Sequence, residues 1–219
     1  MGEMVSFESN GGTAQGYLAG DGPGIVVIQE WWGLNDQIKG VCDDFAAEGF
    51  TALAPDFYHG SLATEPDEAG KLMMALDIDR TAADARGAAA FLAGQTGGRV
   101  GVIGFCMGGQ LALLAGTVAP EHVGAVVDMY GIHPALTPDY SKMNAPVLGL
   151  FAEHDDFVTQ QVRDVLSAEL SKHGIDHEFH VYPGTHHAFT NETRSDVYDR
   201  GASQDARGRT LEFFRKNLG

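Results

Sequence analysis

The amino-acid sequence predicts an α/β fold of three layers, a mostly parallel central sheet with helices on both faces. Three observations carry that expectation. Strand-like runs alternate with helix-like segments from about residue 24 onward. The central runs, such as GIVVI and RVGVIGF, are apolar throughout rather than alternating, and no repeat or low-complexity linker interrupts the chain. A strand with no polar side is one covered on both faces, which is the setting of a parallel sheet. The length, 219 residues, suits one sizeable core, so one domain over residues 1–219 is expected.

Taken in order, MVSFES and AQGYLA fit an antiparallel pair flanked by glycine turns. GIVVI (24–28) is the first apolar strand, followed by an irregular EWWGLN and a helical pattern near 36–48. Ile38, Val41, Cys42 and Phe45 share the apolar side of that helix, which makes Cys42 a small core side chain. FTALAP (50–55) is the next strand, closed by Pro55. An alanine-rich segment from about 66 to 94 has helical spacing and stops at Gly94. Residues 99–105 form a strand, 107–118 a helix, and 122–131 and 145–153 two further strands. A helix over 159–173 ends at Gly174, HEFHVYP (177–183) is the last strand, and a helix near 202–217 closes the chain.

A hydrophobic content of 44% and a charged content of 20% describe an ordinary soluble globular protein. No apolar run approaches the roughly 18 residues of a membrane span. MGEMVSFESNGG has neither the basic start nor the apolar stretch of a secretory signal, so the cytoplasm is the expected location. A net charge of −16 argues against nucleic acid or an anionic membrane as partner, because both repel such a surface. Two cysteines, Cys42 and Cys106, imply no disulfide framework.

Open sheets of this kind bind ligands at the C-terminal ends of their strands. Those ends carry Gln29-Glu30-Trp31-Trp32, Asp56-Phe57-Tyr58-His59, Cys106-Met107, Tyr130-Gly131-Ile132-His133, Glu153-His154-Asp155-Asp156 and Gly184-Thr185-His186-His187. Cys106 occupies a strand-to-helix turn with Gly104 and Gly108 on either side, which a tightly bent nucleophile turn requires. The helix start beyond it favours a thiolate and a nearby oxyanion. Spacing alone leaves a nucleophile, a redox centre and tight packing all open. Asp155 and His187 follow at later strand ends, in the order nucleophile, acid, histidine. In such a set the histidine moves the thiol proton and the carboxylate orients the imidazole.

Gln29-Glu30-Trp31-Trp32-Gly33-Leu34-Asn35, GFCMGG, EHDDFV and YPGTHHAF together resemble the dienelactone hydrolase family, over nearly the full chain. The resemblance implies the α/β-hydrolase fold, Cys106 as nucleophile, Asp155 as acid and His187, directly before Ala-Phe, as histidine. It favours Asp155 over Asp156 and His187 over His186. It also implies that Glu30 holds the resting thiol and takes its proton when substrate binds. The oxyanion hole is then expected from the backbone N–H groups of Trp31 and Met107. Trp32 is expected to wall the pocket, and Phe57, Tyr58, Tyr130, His133 and Asn191 are pocket candidates by strand-end position only. Asn191 stands where the family's carboxylate-binding arginine is expected, and Arg194 is displaced from that place.

The expected activity is cofactor-independent hydrolysis of a lactone or small ester through an acyl-thioester. No metal is expected, because the acid and histidine cluster fits no standard zinc spacing. A general carboxylesterase or thioesterase on the same residues is the nearest alternative. A non-hydrolytic thiol or ligand-binding protein on this scaffold is a second, although no resolving cysteine lies near Cys106. The oligomeric state is left open, a monomer included.

Overall fold

A computed structural model describes residues 2–219. Eight strands form one sheet: β1 (Glu3–Ser9), β2 (Gly12–Ala19), β3 (Gly24–Ile28), β4 (Thr51–Pro55), β5 (Val100–Phe105), β6 (Val123–Met129), β7 (Val147–His154) and β8 (His177–His186). Six α-helices accompany them: α1 (Asp36–Ala47), α2 (Pro66–Met74), α3 (Ile78–Thr96), α4 (Met107–Val118), α5 (Gln160–Lys172) and α6 (Arg200–Leu218). The spatial order is β1-β2-β4-β3-β5-β6-β7-β8. β1 pairs with β2, and β2 with β4, antiparallel; every other pairing is parallel. The β1–β2 hairpin turns at Asn10 and Gly11, both at positive φ (49° and 71°), as a two-residue turn matched to strand twist requires.

The alternation along the central strands explains the three layers. Val26 and Ile28 of β3 face one core and Ile25 and Val27 the other. The first core is covered by Ala85, Ala88, Ala89 and Leu92 of α3, Leu111 to Ala115 of α4, and Leu170 of α5. The second is covered by Ile38, Cys42 and Phe45 of α1 and by Ala206, Leu211 and Phe214 of α6. Cys42 is fully buried there, and burial pushes its thiol pKa up. No described helix is long and apolar enough to cross a membrane.

Two expectations about helix ends are corrected. The alanine-rich segment is two helices, not one, because Asp77 adopts an extended backbone and caps α3, its side chain accepting from the Arg80 amide at 3.0 Å. Nor does α3 stop at Gly94. That glycine sits on an open helix face, whereas Gly97 takes the left-handed conformation (φ 76°) that ends a helix. The break lets α2 leave the layer below and reach across the C-terminal ends of the strands, where Pro66 and Met73 line a cleft.

Candidate active site

Each candidate residue follows a parallel strand by one or two positions: Glu30 after β3, Cys106 after β5, Asp155 after β7 and His187 after β8. The turn at Cys106 is built from backbone packed on backbone. A Cβ at Gly104 would fall on the Gly108 carbonyl, and one at Gly108 on the carbonyls of Ile28 and Gln29. A Cβ at Gly109 or Gly131 would fall on Oδ1 of Asp128, which accepts from the Gly131 amide at 2.7 Å. With no side chain between them, α4 sits directly on β3 and β5.

Cys106 itself has φ 55° and ψ −122°, a conformation that costs a non-glycine residue on the order of 1–3 kcal/mol. Its amide donates to the Met129 carbonyl (3.0 Å), and its carbonyl accepts from Gly109 (2.9 Å) and Ile132 (3.2 Å). The surroundings thus hold the bend, and the side chain, half-buried, caps nothing. It is presented at the N-terminus of α4, where the helix dipole favours negative charge.

His187 and Asp155 are brought together. Nδ1 of His187 lies 2.8 Å from Oδ2 of Asp155, whose Oδ1 accepts from the Phe157 and Val158 amides at 2.9 Å each. Burial works against the Asp155 carboxylate, but the His187 ring and the two amides hold its pKa below the usual value. Burial also pulls the His187 imidazole down. The Asp155 carboxylate and the Cys106 side chain beside it outweigh that and raise its pKa to about 10. The ring packs edge-on against Tyr130 and Phe157, with centroids 5.1 and 5.3 Å away. His186 and Asp156, the sequence neighbours, are exposed on the rim.

Glu30 is buried beside them. Its Oε2 accepts from Asn191 Nδ2 at 2.9 Å, while Oε1 has no hydrogen-bond partner among the described residues. Burial raises the Glu30 pKa, against the Asn191 hydrogen bond and the charges of His187 and Arg194. Asn191 is itself oriented by Thr193, whose amide and hydroxyl donate to its Oδ1 at 3.1 and 2.6 Å. The Trp31 and Met107 amides donate to no acceptor among the described residues; Trp31 lines the cleft, whereas Met107 is fully buried at the start of α4.

The cleft has a volume of about 570 Å³, and Glu30, Trp31, Trp32, Cys106 and His187 all line it. Trp31 and Trp32 meet edge to face, centroids 5.2 Å apart. All five strand-end pocket candidates lie outside the lining, because a strand-end position does not set where a side chain points. Phe57 and Tyr58 are buried in the core under α4, Tyr58 donating to the Met107 sulfur at 3.4 Å. Tyr130 is fully buried behind His187, its hydroxyl 2.5 Å from Thr190 Oγ1. His133 is buried and tied to the Met73 carbonyl at 3.3 Å, and burial lowers its pKa. Asn191 also lies behind the lining, holding Glu30. The sequence reading missed Met73, Pro66, Ile132, Phe157 and Val197 as wall residues. Ile132 and Phe157 carried a signal, the first between two named strand-end candidates and the second within the EHDDFV motif.

The dienelactone hydrolase family profile matches residues 13–218. "Protein usf" of Aquifex pyrophilus is 40% identical, with all of both chains covered. A protein of Aquifex aeolicus named "Putative carboxymethylenebutenolidase" is 36% identical over the same full coverage. The solved structure of a "Putative Dienelactone Hydrolase" from Klebsiella pneumoniae is 26% identical, has a TM-score of 0.87, and covers 99% of this chain and 98% of its own. The chain belongs to the dienelactone hydrolase family of carboxylic ester hydrolases, on the α/β-hydrolase fold.

Proposed function

We propose that the chain hydrolyses lactones or small esters without a cofactor, with Cys106 as nucleophile, His187 as proton carrier, Asp155 as its orienting acid and Glu30 as the acceptor of the thiol proton. The observation that carries this reading is the Asp155–His187 pair at 2.8 Å, in one cleft with a cysteine bent to positive φ at a helix start.

In the first half-reaction the Cys106 sulfur attacks the acyl carbon, and its proton passes to the free Oε1 of Glu30. The Trp31 and Met107 amides hold the oxyanion. The imidazolium of His187, favoured by Asp155, gives its proton to the leaving oxygen as the ester bond breaks. In the second half, water attacks the thioester and passes a proton to neutral His187. The carboxylic acid leaves, and the proton on Glu30 returns to the Cys106 thiolate. A lactone's alcohol stays tethered to the acyl group, so deacylation must outrun ring closure.

The test is hydrolysis of p-nitrophenyl acetate by the wild type, Cys106→Ala and His187→Ala. Both variants are expected to lose activity by about 10³-fold or more, as removal of a triad member does. Wild-type activity in either would overturn the assignment. Inactivity of the wild type on a panel of esters and lactones would favour a thiol or ligand-binding protein.

A further inference from the structure

The charged groups of the cleft bear on which ester it accepts, a question that rests on the hydrolase reading above. Its wall is mostly apolar, with Trp31, Trp32, Met73, Ile132, Phe157 and Val197. Besides Cys106, its ionisable side chains are the carboxylates of Glu30, Asp156 and Asp196, the imidazoles of His154, His186 and His187, the last already paired with Asp155, and one guanidinium, Arg194; no lysine and no other arginine lines the cleft among the described residues.

That one guanidinium is engaged. Nε and Nη2 of Arg194 donate to Oδ1 and Oδ2 of Asp196 at 3.0 and 2.7 Å. This is the two-point geometry by which a guanidinium reads a carboxylate, here used on a residue two positions along the chain. Arg194 holds the Asp196 carboxyl below its usual pKa, so the pair is ionised at neutral pH and close to neutral in sum. Asp156 adds a negative charge on the rim, and the chain as a whole carries −16. A substrate carboxylate entering this cleft would have to displace Asp196, against a repulsive field. A hydrocarbon chain would meet aromatic and aliphatic surface instead.

We propose that the cleft selects esters and lactones whose acyl part is uncharged and apolar, and that Asp196 sets this preference by occupying the guanidinium of Arg194. Asp196 is a specificity-determining residue and takes no part in the chemistry.

The test compares p-nitrophenyl valerate with mono-p-nitrophenyl glutarate, two esters of equal acyl length that differ in a terminal methyl or carboxylate. After subtraction of spontaneous hydrolysis, the wild type is expected to favour valerate in kcat/KM by about tenfold or more, the size of one unfavourable charge pairing at a partly exposed site. Asp196→Asn is expected to narrow that ratio at least several-fold, by lowering KM for the glutarate. Adding Arg194→Ala should restore the original ratio.

Binding is measured alongside turnover. Both tryptophans of the chain line the cleft, so intrinsic tryptophan fluorescence reports its occupancy. Valeramide is expected to bind the wild type more tightly than glutaramate, and less so in Asp196→Asn. Equal preference for the two members of either pair, or a ratio unmoved in Asp196→Asn, would overturn the proposal. If neither ester is cleaved faster by the wild type than by Cys106→Ala, the hydrolase reading fails, and the amide titrations still decide the selectivity.

Discussion

Replacing Asp155 by asparagine separates what this carboxylate does for the fold from what it does for the reaction. The Asn carbonyl can take over the two bonds that Oδ1 accepts from Phe157 and Val158. Its NH2 group then faces Nδ1 of His187, which must become an acceptor, so the ring carries its proton on Nε2 and cannot take another there. In the wild type that ring stands at about 10 rather than 6.5, because burial is outweighed by Asp155 and Cys106. At about 1.4 kcal/mol per pH unit, this difference is on the order of 5 kcal/mol. Asp155 is the first of the groups that raise the ring's pKa, so its removal is expected to cost on the order of a few kcal/mol. A pKa raised by folding contributes stability that is fully present below 6.5 and is lost as pH rises through about 10. Urea unfolding of wild type and Asp155→Asn should therefore differ most near pH 6, and the difference should shrink by pH 10.5. Ester turnover should fall by about 10³- to 10⁴-fold from the wrong tautomer. A stability difference independent of pH, or turnover within tenfold of wild type, would refute the reasoning.

Two further substitutions probe the supports. Gly104→Ala drives a Cβ onto the Gly108 carbonyl, and overpacking of this kind costs about 1–3 kcal/mol or more; a lower urea midpoint and lost activity are expected, and a variant as stable as wild type would contradict the direct docking of α4. Asn191→Ala removes the partner of Glu30 Oε2. Burial already raises the Glu30 pKa and the Asn191 bond opposes it, so the variant's pKa rises further and the acid limb of kcat/KM moves to higher pH. Its stability at pH 8 should fall by about 1–3 kcal/mol, less so in acid, where Glu30 is neutral; an unmoved limb would exclude Asn191 as the positioning residue.

The central strands were legible because burial on both faces leaves them no polar side: every residue of β3, β5 and β6 is buried. The break between α2 and α3 was not, since helical spacing runs through Ala75 to Asp77 and a capping aspartate looks like any other until the backbone extends. Chain order and strand-end position led to Cys106, Asp155 and His187, the family motifs to Glu30. The cleft wall was largely hidden. Met73 reaches it only because α2 swings over the strand ends, and Phe157 because it follows the tight turn capped by Asp155. Asn191 was noticed by position, but its partner lies 161 residues away, a separation no local pattern encodes.

The all-backbone seat of α4 has an evolutionary consequence. Where main chain rests on main chain, the seat of α4 does not depend on the side chain at position 106, which touches only the edge of the second core and the His187 ring. The sulfur can be exchanged for another small atom without disturbing the backbone contacts that seat the helix. Glycines 104, 108 and 109, by contrast, admit almost no variation. Tolerance to substitution in this turn is therefore inverted: the proposed nucleophile is the position the scaffold constrains least, and the glycines packed beneath it are the ones it constrains most.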